Sequence, residues 1–340
     1  MLDFSNSKIL IVGDVMLDKY YFGKVDRISP EAPVPIVNIQ KEESRLGGAS
    51  NVANNIVSLG GHSLLCGVIG HDLFGKEIER ISRHKNIDTF PLKTSSPTIT
   101  KARIIGGKQQ IVRVDYEDKS ELNADNKKLF RDTISRILPE YDILVISDYG
   151  KGLISEDLCR YLIKLAHKYD KKVIIDPKGK NWEKYSGADI VTPNVKELSD
   201  IVGYTVPNTD RAIEKAAREA ITNNHLTALL VTRSDKGMSL IGPIPPIHIP
   251  THSEEVFDVS GAGDTVVATL GLCLAAGFEI SEAMTSQYCS RYRREENRYS
   301  YAYHRRISTT KIKNPVPFLK IFVSAGNRIF YLPLHIPIKY

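Results

Sequence analysis

Short apolar segments alternate with amphipathic segments along most of the chain. Residues 8–13, KILIVG, form an apolar run typical of a strand buried on both faces. Similar runs follow in the order SLLCGVIG, DILVISD, KKVIID, DIVTPN and ALLVTRS. Between them, SNVANNIVSLG, EDLCRYLIKLAHKY and RAIEKAAREAITNN have the period of helices. This alternation predicts an α/β fold with a doubly wound, mostly parallel sheet flanked by helices.

Polar residues stand where several of these apolar runs end. They are Asp14, Asp148, Asp176, Asn194, and Arg233 with Ser234. In doubly wound folds, ligands bind beyond the carboxyl ends of the strands. For any single residue, capping of the next helix is the better explanation. Because they recur at five equivalent places, they predict a ligand site at this edge of the sheet.

Two segments break the alternation of strands and helices. Residues 18–40 and 97–116 are rich in β-branched and aromatic residues and contain short stretches of period two. Gly106 and Gly107 predict a hairpin turn within the second segment. We expect these segments to form a small separate sheet that acts as a lid over the site.

The segment DVSGAGDTVVATLGLCLAAG, which begins at Asp258, has the composition of an anion site. Gly261 and Gly263 allow backbone N–H groups to point into a common space, and a helix beginning near Ala262 adds its positive end. Asp264 lies in the first turn, where an acid stabilises a helix whatever its other role. A carboxylate beside an anion site is also what phosphoryl transfer to an alcohol requires, because a base takes the hydroxyl proton.

Two further segments contain residues suited to phosphate chemistry. In RLGGASNVANN, Gly47 and Gly48 precede a helix and allow a ligand to approach the backbone, and Asn51 lies in the first turn. In TPNVKE, Asn194 and Glu197 are three residues apart, on one face of a helix start. An amide and a carboxylate suit a hydrated Mg²⁺ that bridges phosphates, although a capping box explains the same spacing equally well.

Taken together, GGASNVANN, NVKE and DVSGAGD resemble, in order and spacing, the ribokinase-like (phosphofructokinase-B type) sugar kinases. Within that family, GDVMLDKYYFGKVDRISPEAPVPI, TITKARII, QQIVRVD, SDYGKG, IDPKG and LLVTRSDKGMSL are similar to the kinases of D-glycero-β-D-manno-heptose 7-phosphate. The resemblance extends from about residue 8 to residue 286. It implies a ribokinase-like fold and phosphorylation of the anomeric hydroxyl by ATP, giving the 1,7-bisphosphate for ADP-heptose and lipopolysaccharide core synthesis. It also implies Mg²⁺ and leaves room for a monovalent cation such as K⁺.

The resemblance implies roles for individual residues. The catalytic base would be Asp264, with an anion hole formed by Gly261, Ala262 and Gly263. ATP would be bound by Asn194, Glu197, Thr232, Ser234 and Gly237, with Glu197 also serving Mg²⁺. The sugar would be bound by Asp14, Gly47, Gly48 and Asn51, and we add Asp148. Our candidates for gripping the phosphate of the substrate are Lys101, Arg103, Arg113, Lys151 and Lys178, any of which can be an ordinary solvated side chain.

Charge and composition change abruptly near residue 287. Residues 287–340 contain 11 of the 46 Lys and Arg, 2 of the 40 Asp and Glu and 7 of the 16 Tyr, so this tail carries +9 and the rest of the chain −3. The charge of the body therefore gives no reason to expect a nucleic-acid partner. A basic, aromatic tail alone is also typical of a nucleic-acid arm.

The family resemblance stops after Ala283 and Met284. Family members continue there with a small apolar helix and a Gly-rich stretch that lines the adenine pocket, whereas this tail has no apolar periodicity. We interpret residues 1–286 as one kinase domain and residues 287–340 as frameshifted sequence, produced by a single-base insertion or deletion near codons 284–287. The adenine side of the site would then be incomplete.

The remaining features limit where the protein acts and with what. Its four cysteines have neither the spacing of metal ligands nor that of a disulfide framework, and no apolar segment approaches the roughly 20 residues that cross a bilayer. With no signal-like N-terminal segment, we expect a cytoplasmic protein whose partners are a sugar phosphate and ATP, with neither a membrane nor a nucleic acid. Exposed lid strands favour a homodimer through the lid.

Two other functions stay open. One is a different ribokinase-like kinase acting on fructose phosphate, ribose or a nucleoside. The other is a sugar-phosphate-binding relative that has lost turnover with its C-terminus. A dinucleotide oxidoreductase is disfavoured because GDVMLD, after the first strand, lacks the G-x-G-x-x-G turn.

Overall fold

The apolar runs form one large sheet in the computed structural model, which describes residues 2–250 and 261–282 and two short strands, 320–324 and 329–333. The strands of this sheet are β1 (Lys8–Gly13), β4 (His62–Gly70), β5 (Asp88–Thr94), β8 (Ile143–Ser147), β9 (Lys172–Asp176), β10 (Ile190–Val191), β11 (Ala228–Thr232), β12 (Met238–Ile241) and β13 (Ile247–Ile249). Their order is β13-β12-β11-β10-β9-β8-β1-β4-β5. All neighbouring strands from β11 to β5 pair in parallel, whereas β12 pairs in antiparallel register with both β11 and β13. The predicted mostly parallel sheet is confirmed.

Helices cover both faces of this sheet. One face carries α1 (Ala49–Ser58), α2 (Leu73–His84) and α7 (Ala262–Ala275), and the other carries α3 (Ala124–Ile137), α4 (Glu156–Lys168), α5 (Val195–Val202) and α6 (Asp210–Asn224). Residues of β1 alternate between the two cores, with Ile9 and Ile11 in one and Leu10 and Val12 in the other. Burial on both faces explains why the strands read as uninterrupted apolar runs.

A second sheet confirms the predicted small separate sheet, called the lid below, while its role as a cover over the site stays a prediction. It contains β2 (Val15–Ile28), β3 (Pro35–Gly48), β6 (Thr100–Gly106) and β7 (Gln109–Tyr116), in the order β3-β2-β6-β7. The predicted boundaries 18–40 are too narrow, because β2 begins at Val15 and β3 continues through a polar stretch to Gly48. Since α1 starts at Ala49, the lid runs without a loop into the core.

The tail contributes one described feature. Strands β14 (Lys320–Ser324) and β15 (Ile329–Pro333) pair with each other in antiparallel register as a separate two-stranded sheet. The other residues of the predicted frameshifted segment, like Asp258 to Ser260 of the glycine-rich turn, lie outside the described residues. Among the helices that are described, none is long and apolar enough to cross a membrane.

Candidate active site

The N-terminus of α7 places Asp264 at the centre of the carboxyl edge of the sheet. Gly261 precedes the helix with φ 80°, a left-handed conformation that glycine adopts without strain. A Cβ atom on Gly261 would lie 2.9 Å from Nδ2 of Asn51. A Cβ on Gly263 would meet no atom of the described residues within 4 Å.

The carboxylate of Asp264 is buried and held by two donors. Nδ2 of Asn51 donates to Oδ2 at 2.6 Å, and the hydroxyl of Tyr149 donates to Oδ1 at 2.8 Å. Burial raises the pKa of Asp264 to about 6, and these two hydrogen bonds work against that rise. A carboxylate with a pKa near the working pH is suited to accept a proton from a hydroxyl group.

Asp14, directly after β1, is a second buried carboxylate. Its Oδ2 accepts from the backbone N–H groups of Tyr149, at 2.8 Å, and Lys151, at 3.1 Å. Its Oδ1 is buried with no hydrogen-bond partner among the described residues. Burial raises the pKa of Asp14 to about 6. A buried oxygen without a partner is costly, and a ligand hydroxyl would satisfy it.

Close packing between β2 and β3 explains the glycine pair at the end of β3. A Cβ on Gly47 would lie 2.5 Å from Oδ2 of Asp18, and one on Gly48, with φ 56°, would lie 2.6 Å from the carbonyl oxygen of Asp14. The close approach predicted for a ligand is therefore made by the chain itself. These glycines let the end of β3 pack closely against Asp14 and against Asp18 of β2.

Four of the five basic candidates cluster on and below the lid. Lys101 of β6 is partly buried, and its Nζ lies 5.8 Å from the ring centre of Tyr149. Burial lowers the pKa of Lys101, and the charges of Lys151, Arg103 and Arg113 lower it further. The other three basic residues pair with acids. Arg103 donates to Asp18 at 2.6 Å, Arg113 donates to Asp115 at 2.8 and 2.9 Å, and Lys151 contacts Glu117.

Lys178 and Asp148 lie in other surroundings. Nζ of Lys178 donates to Oε1 of Glu197 at 2.9 Å, apart from the lid cluster. Both oxygens of Asp148 are engaged inside the protein. Oδ1 accepts from Gly150 N–H at 2.7 Å, and Oδ2 accepts from the Tyr185 hydroxyl at 2.7 Å and from Lys184. Asp148 therefore fixes the loop after β8, and its assignment to the substrate stays a prediction.

Asn194 and Glu197 form the capping box that was the alternative explanation for their spacing. Oδ1 of Asn194 accepts from Glu197 N–H at 2.9 Å, and Oε2 of Glu197 accepts from Asn194 N–H at 3.1 Å. Asp176, after β9, has its pKa raised well above the usual value by burial and by the charges of Asp264 and Glu197. Within the described part of the chain, the side chain of Asp176 makes no hydrogen bond. The described residues also contain no group of three or more His, Cys, Asp or Glu side chains that could hold a metal ion by themselves.

The turn after β11 brings the predicted nucleotide residues together. Thr232 pairs with Asn194 in a single parallel bridge, and its N–H donates to Pro193 at 2.8 Å. Ser234 and Gly237 have positive φ, 56° and 82°. Arg233, which directly follows β11, is buried. It donates to three side chains: Asn208 at 2.9 Å, Asp210 at 2.6 Å and Ser239 at 2.9 Å. Arg233 thus fixes the shape of this turn.

Sequence reasoning missed two residues of this arrangement. Tyr149 contacts the carboxyl group of Asp264 and the carboxylate of Asp14, and Asp18 lies between Arg103 and the glycine pair. Tyr149 carried a usable signal, because it follows Asp148 immediately beyond a predicted strand end. Asp18 carried none, since it lies among the alternating residues of a lid strand.

Comparison with known proteins gives one family. The family described as pfkB family carbohydrate kinase matches residues 6–286. The chain is 45% identical over 283 residues to the bifunctional protein HldE of Haemophilus influenzae, strain PittEE, and 44% identical over 283 residues to that of Vibrio vulnificus. Each match covers 83% of this chain and 58% of the relative, so the chain spans about three-fifths of the length of these relatives.

Solved structures share the fold at low sequence identity. Phosphofructokinase-2 from Escherichia coli, in its tetrameric inhibited form, superposes with a TM-score of 0.68 at 19% identity, covering 83% of this chain and 92% of that one. Arabidopsis thaliana ribokinase, complexed with ribose and ATP, gives a TM-score of 0.64 at 19% identity, covering 84% and 92%. The ribokinase-like fold is confirmed.

Proposed function

Because the chain belongs to the pfkB family of carbohydrate kinases, we propose that it transfers the γ-phosphoryl group of ATP to the anomeric hydroxyl of D-glycero-D-manno-heptose 7-phosphate. The product is the 1,7-bisphosphate used for ADP-heptose and lipopolysaccharide core synthesis. The observation that carries this proposal is the buried carboxylate of Asp264 in the first turn of α7, directly after the left-handed Gly261.

The proposed mechanism uses these groups in order. Asp14 accepts a hydrogen bond from a sugar hydroxyl through Oδ1, which has no partner among the described residues, and this bond orients the ring. Asp264 takes the proton of the anomeric hydroxyl, whose oxygen attacks the γ-phosphorus in line while the bond from that phosphorus to the bridging oxygen breaks and ADP leaves. The N–H groups of Gly261, Ala262 and Gly263, at the positive end of α7, stabilise the charge on the transferring group.

The lid cluster favours a phosphorylated acceptor over a neutral sugar. Lys101 is partly buried, and the four cations of this cluster face three acids, Asp18, Asp115 and Glu117, so the cluster keeps an excess of positive charge that a dianionic phosphate would neutralise. We assign the 7-phosphate to Lys101, Arg103, Arg113 and Lys151, which would exchange their present acidic partners for the ligand. Ribose and nucleosides offer no such charge.

Asp176 and Glu197 fit a hydrated Mg²⁺ better than a metal held only by the protein. Mg²⁺ usually keeps several waters and binds one or two carboxylates together with substrate phosphates, and it neutralises phosphate charge during transfer. Glu197 already accepts from Lys178 and Asn194, whereas Asp176 has a carboxylate without a described partner. Thr232, Ser234 and Gly237 would contact ATP, and K⁺ stays a candidate for a monovalent site.

Three further parts of the proposal concern the protein as a whole. Exposed apolar residues of the lid, Val25, Ile28, Val34 and Ile39, support a homodimer through this sheet. The buried thiols Cys66 and Cys159, which form no disulfide, and the need for ATP support a cytoplasmic location. The end of the family match at residue 286 supports a frameshifted tail.

The test is ATP consumption by this chain and by a protein whose reading frame is restored after Met284. Each is offered heptose 7-phosphate, fructose 6-phosphate and ribose, with Asp264→Asn as the inactive control. Activity of both on the heptose phosphate is the expected result if the tail is tolerated. Activity of the restored protein alone would make this chain an impaired kinase. Preference for another acceptor in both would overturn the heptose assignment.

A further inference from the structure

One residue, Tyr149, contacts both buried carboxylates of the site. Its hydroxyl donates to Oδ1 of Asp264 at 2.8 Å, and its backbone N–H donates to Oδ2 of Asp14 at 2.8 Å. The contact with Asp264 spans 115 positions of sequence and joins the loop after β8 to the first turn of α7. The acceptor-binding group and the base are therefore tied to a single side chain and its own backbone.

The carboxylate of Asp264 is fixed by donors on both of its oxygens. Asn51 supplies the donor to Oδ2 and Tyr149 the donor to Oδ1. Burial, followed by the charge of Asp264, raises the pKa of Tyr149 well above its usual value, so the phenol keeps its proton and remains a donor. A neutral donor to a buried carboxylate stabilises the ionised form, which is the form that can accept a proton.

We propose that Tyr149 is a positioning residue for phosphoryl transfer, which holds Asp264 ionised and oriented towards a sugar hydroxyl bound by Asp14. This inference rests on the proposed kinase function. The hydroxyl of Tyr149 acts through Asp264 and takes no part in bond formation itself.

The charges around Asp264 define what removal of this hydroxyl should do. Asp18 from β2 raises the pKa of Asp264 and Lys101 from β6 lowers it, while the charge of Asp264 raises in turn the pKa of Asp176, after β9. The hydrogen bonds from Asn51 and Tyr149 lower it as well. Loss of the Tyr149 hydroxyl therefore raises the pKa of the base, and activity should be lost first at low pH.

The experiment compares kcat as a function of pH for the wild type and Tyr149→Phe. The acidic limb is expected to move up by about one pH unit, with kcat falling about fivefold near pH 6, about tenfold near pH 5 and little above pH 8. KM for ATP should stay unchanged. Tyr185→Phe is the matched control, because it removes a similarly placed hydroxyl from Asp148, 2.7 Å away, and should leave the limb in place.

A second readout separates this inference from the kinase proposal. The ¹³C signal of the Asp264 carboxyl, identified by its absence in Asp264→Asn, is titrated in the wild type and in Tyr149→Phe without any substrate. A higher midpoint in Tyr149→Phe supports the inference even if no acceptor is phosphorylated. An unchanged midpoint, or a kcat reduced equally at every pH, overturns it. If Tyr149→Phe does not fold, 3-fluorotyrosine at position 149 replaces it, and its stronger donor should move both midpoints downwards.

Discussion

The acceptor side and the nucleotide side of the site satisfy their polar groups differently. The proposed acceptor side consists of Asp14, Asn51, Tyr149 and Asp264, and the proposed nucleotide side of Asn194, Glu197 and the turn 232–237. On the acceptor side, one carboxylate oxygen has no described partner and two carboxylates have a pKa raised to about 6. On the nucleotide side, side chains satisfy one another in a capping box and around Arg233.

This difference separates groups kept for chemistry from groups that shape a surface. A buried carboxylate whose pKa lies above its unfolded value destabilises the fold when it ionises, and it persists where a function needs it. A network of side chains whose hydrogen bonds are all made stabilises the loop that contains it, and that loop presents its backbone groups to a ligand. Substitutions on the acceptor side should therefore damage catalysis without loss of stability, and those on the nucleotide side should damage stability first.

The largest effect is expected from Asp264→Asn. Loss of the base should reduce kcat by about 10²- to 10⁴-fold. The amide can still accept from Asn51 and donate to the Tyr149 oxygen, so the hydrogen bonds survive. Because the folded-state pKa of about 6 exceeds the reference value of 3.8, ionisation of Asp264 destabilises the wild type as the pH rises through 6.

The variant should consequently be more stable than the wild type near pH 8, by about 1–3 kcal/mol, with a smaller difference near pH 5. Urea unfolding at both pH values measures this difference. A variant that is less stable than the wild type at both would contradict the contrast between the two sides.

Arg233→Met tests the nucleotide side. It removes donors from Asn208, Asp210 and Ser239 and should lower the free energy of unfolding by about 2–3 kcal/mol. KM for ATP should rise about tenfold, because the turn loses its shape, whereas KM for the sugar should not change. Arg160→Met is the control: this partly exposed arginine pairs with Glu156 and Glu183, and its loss should cost less than about 1 kcal/mol. An equal cost for both would show that Arg233 does not hold the turn.

The sequence predicted the large sheet better than it predicted the lid or the site contacts. Parallel strands buried on both faces read as continuous apolar runs, so β1, β4, β8, β9 and β11 were recognisable. The second half of β3 was not recognised, because its residues EESR are polar and partly or fully exposed and show no alternation.

Site residues were predictable where a local motif carries the chemistry, as at Gly261 and Asp264. Contacts between distant segments were not, since nothing in SDYGKG indicates that the Tyr149 hydroxyl meets the start of α7. Asn51 was assigned to the sugar for the same reason, although it donates to the carboxylate of Asp264. Local patterns specify the elements, whereas the packing of the elements decides which polar groups meet.

Gly261→Ala and Gly203→Ala separate backbone strain from damage to the site. Both glycines have nearly the same φ, 80° and 81°, so each substitution should cost about 1–2 kcal/mol of stability. Only at position 261 would the new Cβ approach Nδ2 of Asn51, at 2.9 Å, whereas a Cβ at position 203 meets nothing described within 4 Å. We expect kcat to fall about tenfold for Gly261→Ala alone, because Asn51 must leave Asp264. Equal kcat in the two variants would show that this contact does not serve catalysis.

The smallest effect is expected from Glu197→Gln. This substitution tests whether Glu197, whose carboxylate already accepts hydrogen bonds from Asn194 and Lys178, also binds metal. The amide oxygen can still accept from Asn194 N–H, so the helix cap survives and stability should change by less than about 0.5 kcal/mol. If Glu197 helps to hold Mg²⁺, loss of its charge should raise the Mg²⁺ concentration needed for half-maximal activity several-fold. Asn194→Ala is the complementary variant, since it should lower stability by about 1 kcal/mol through loss of the cap. An unchanged Mg²⁺ requirement in Glu197→Gln would restrict this carboxylate to capping, and Asp176 would then be the acid to substitute next.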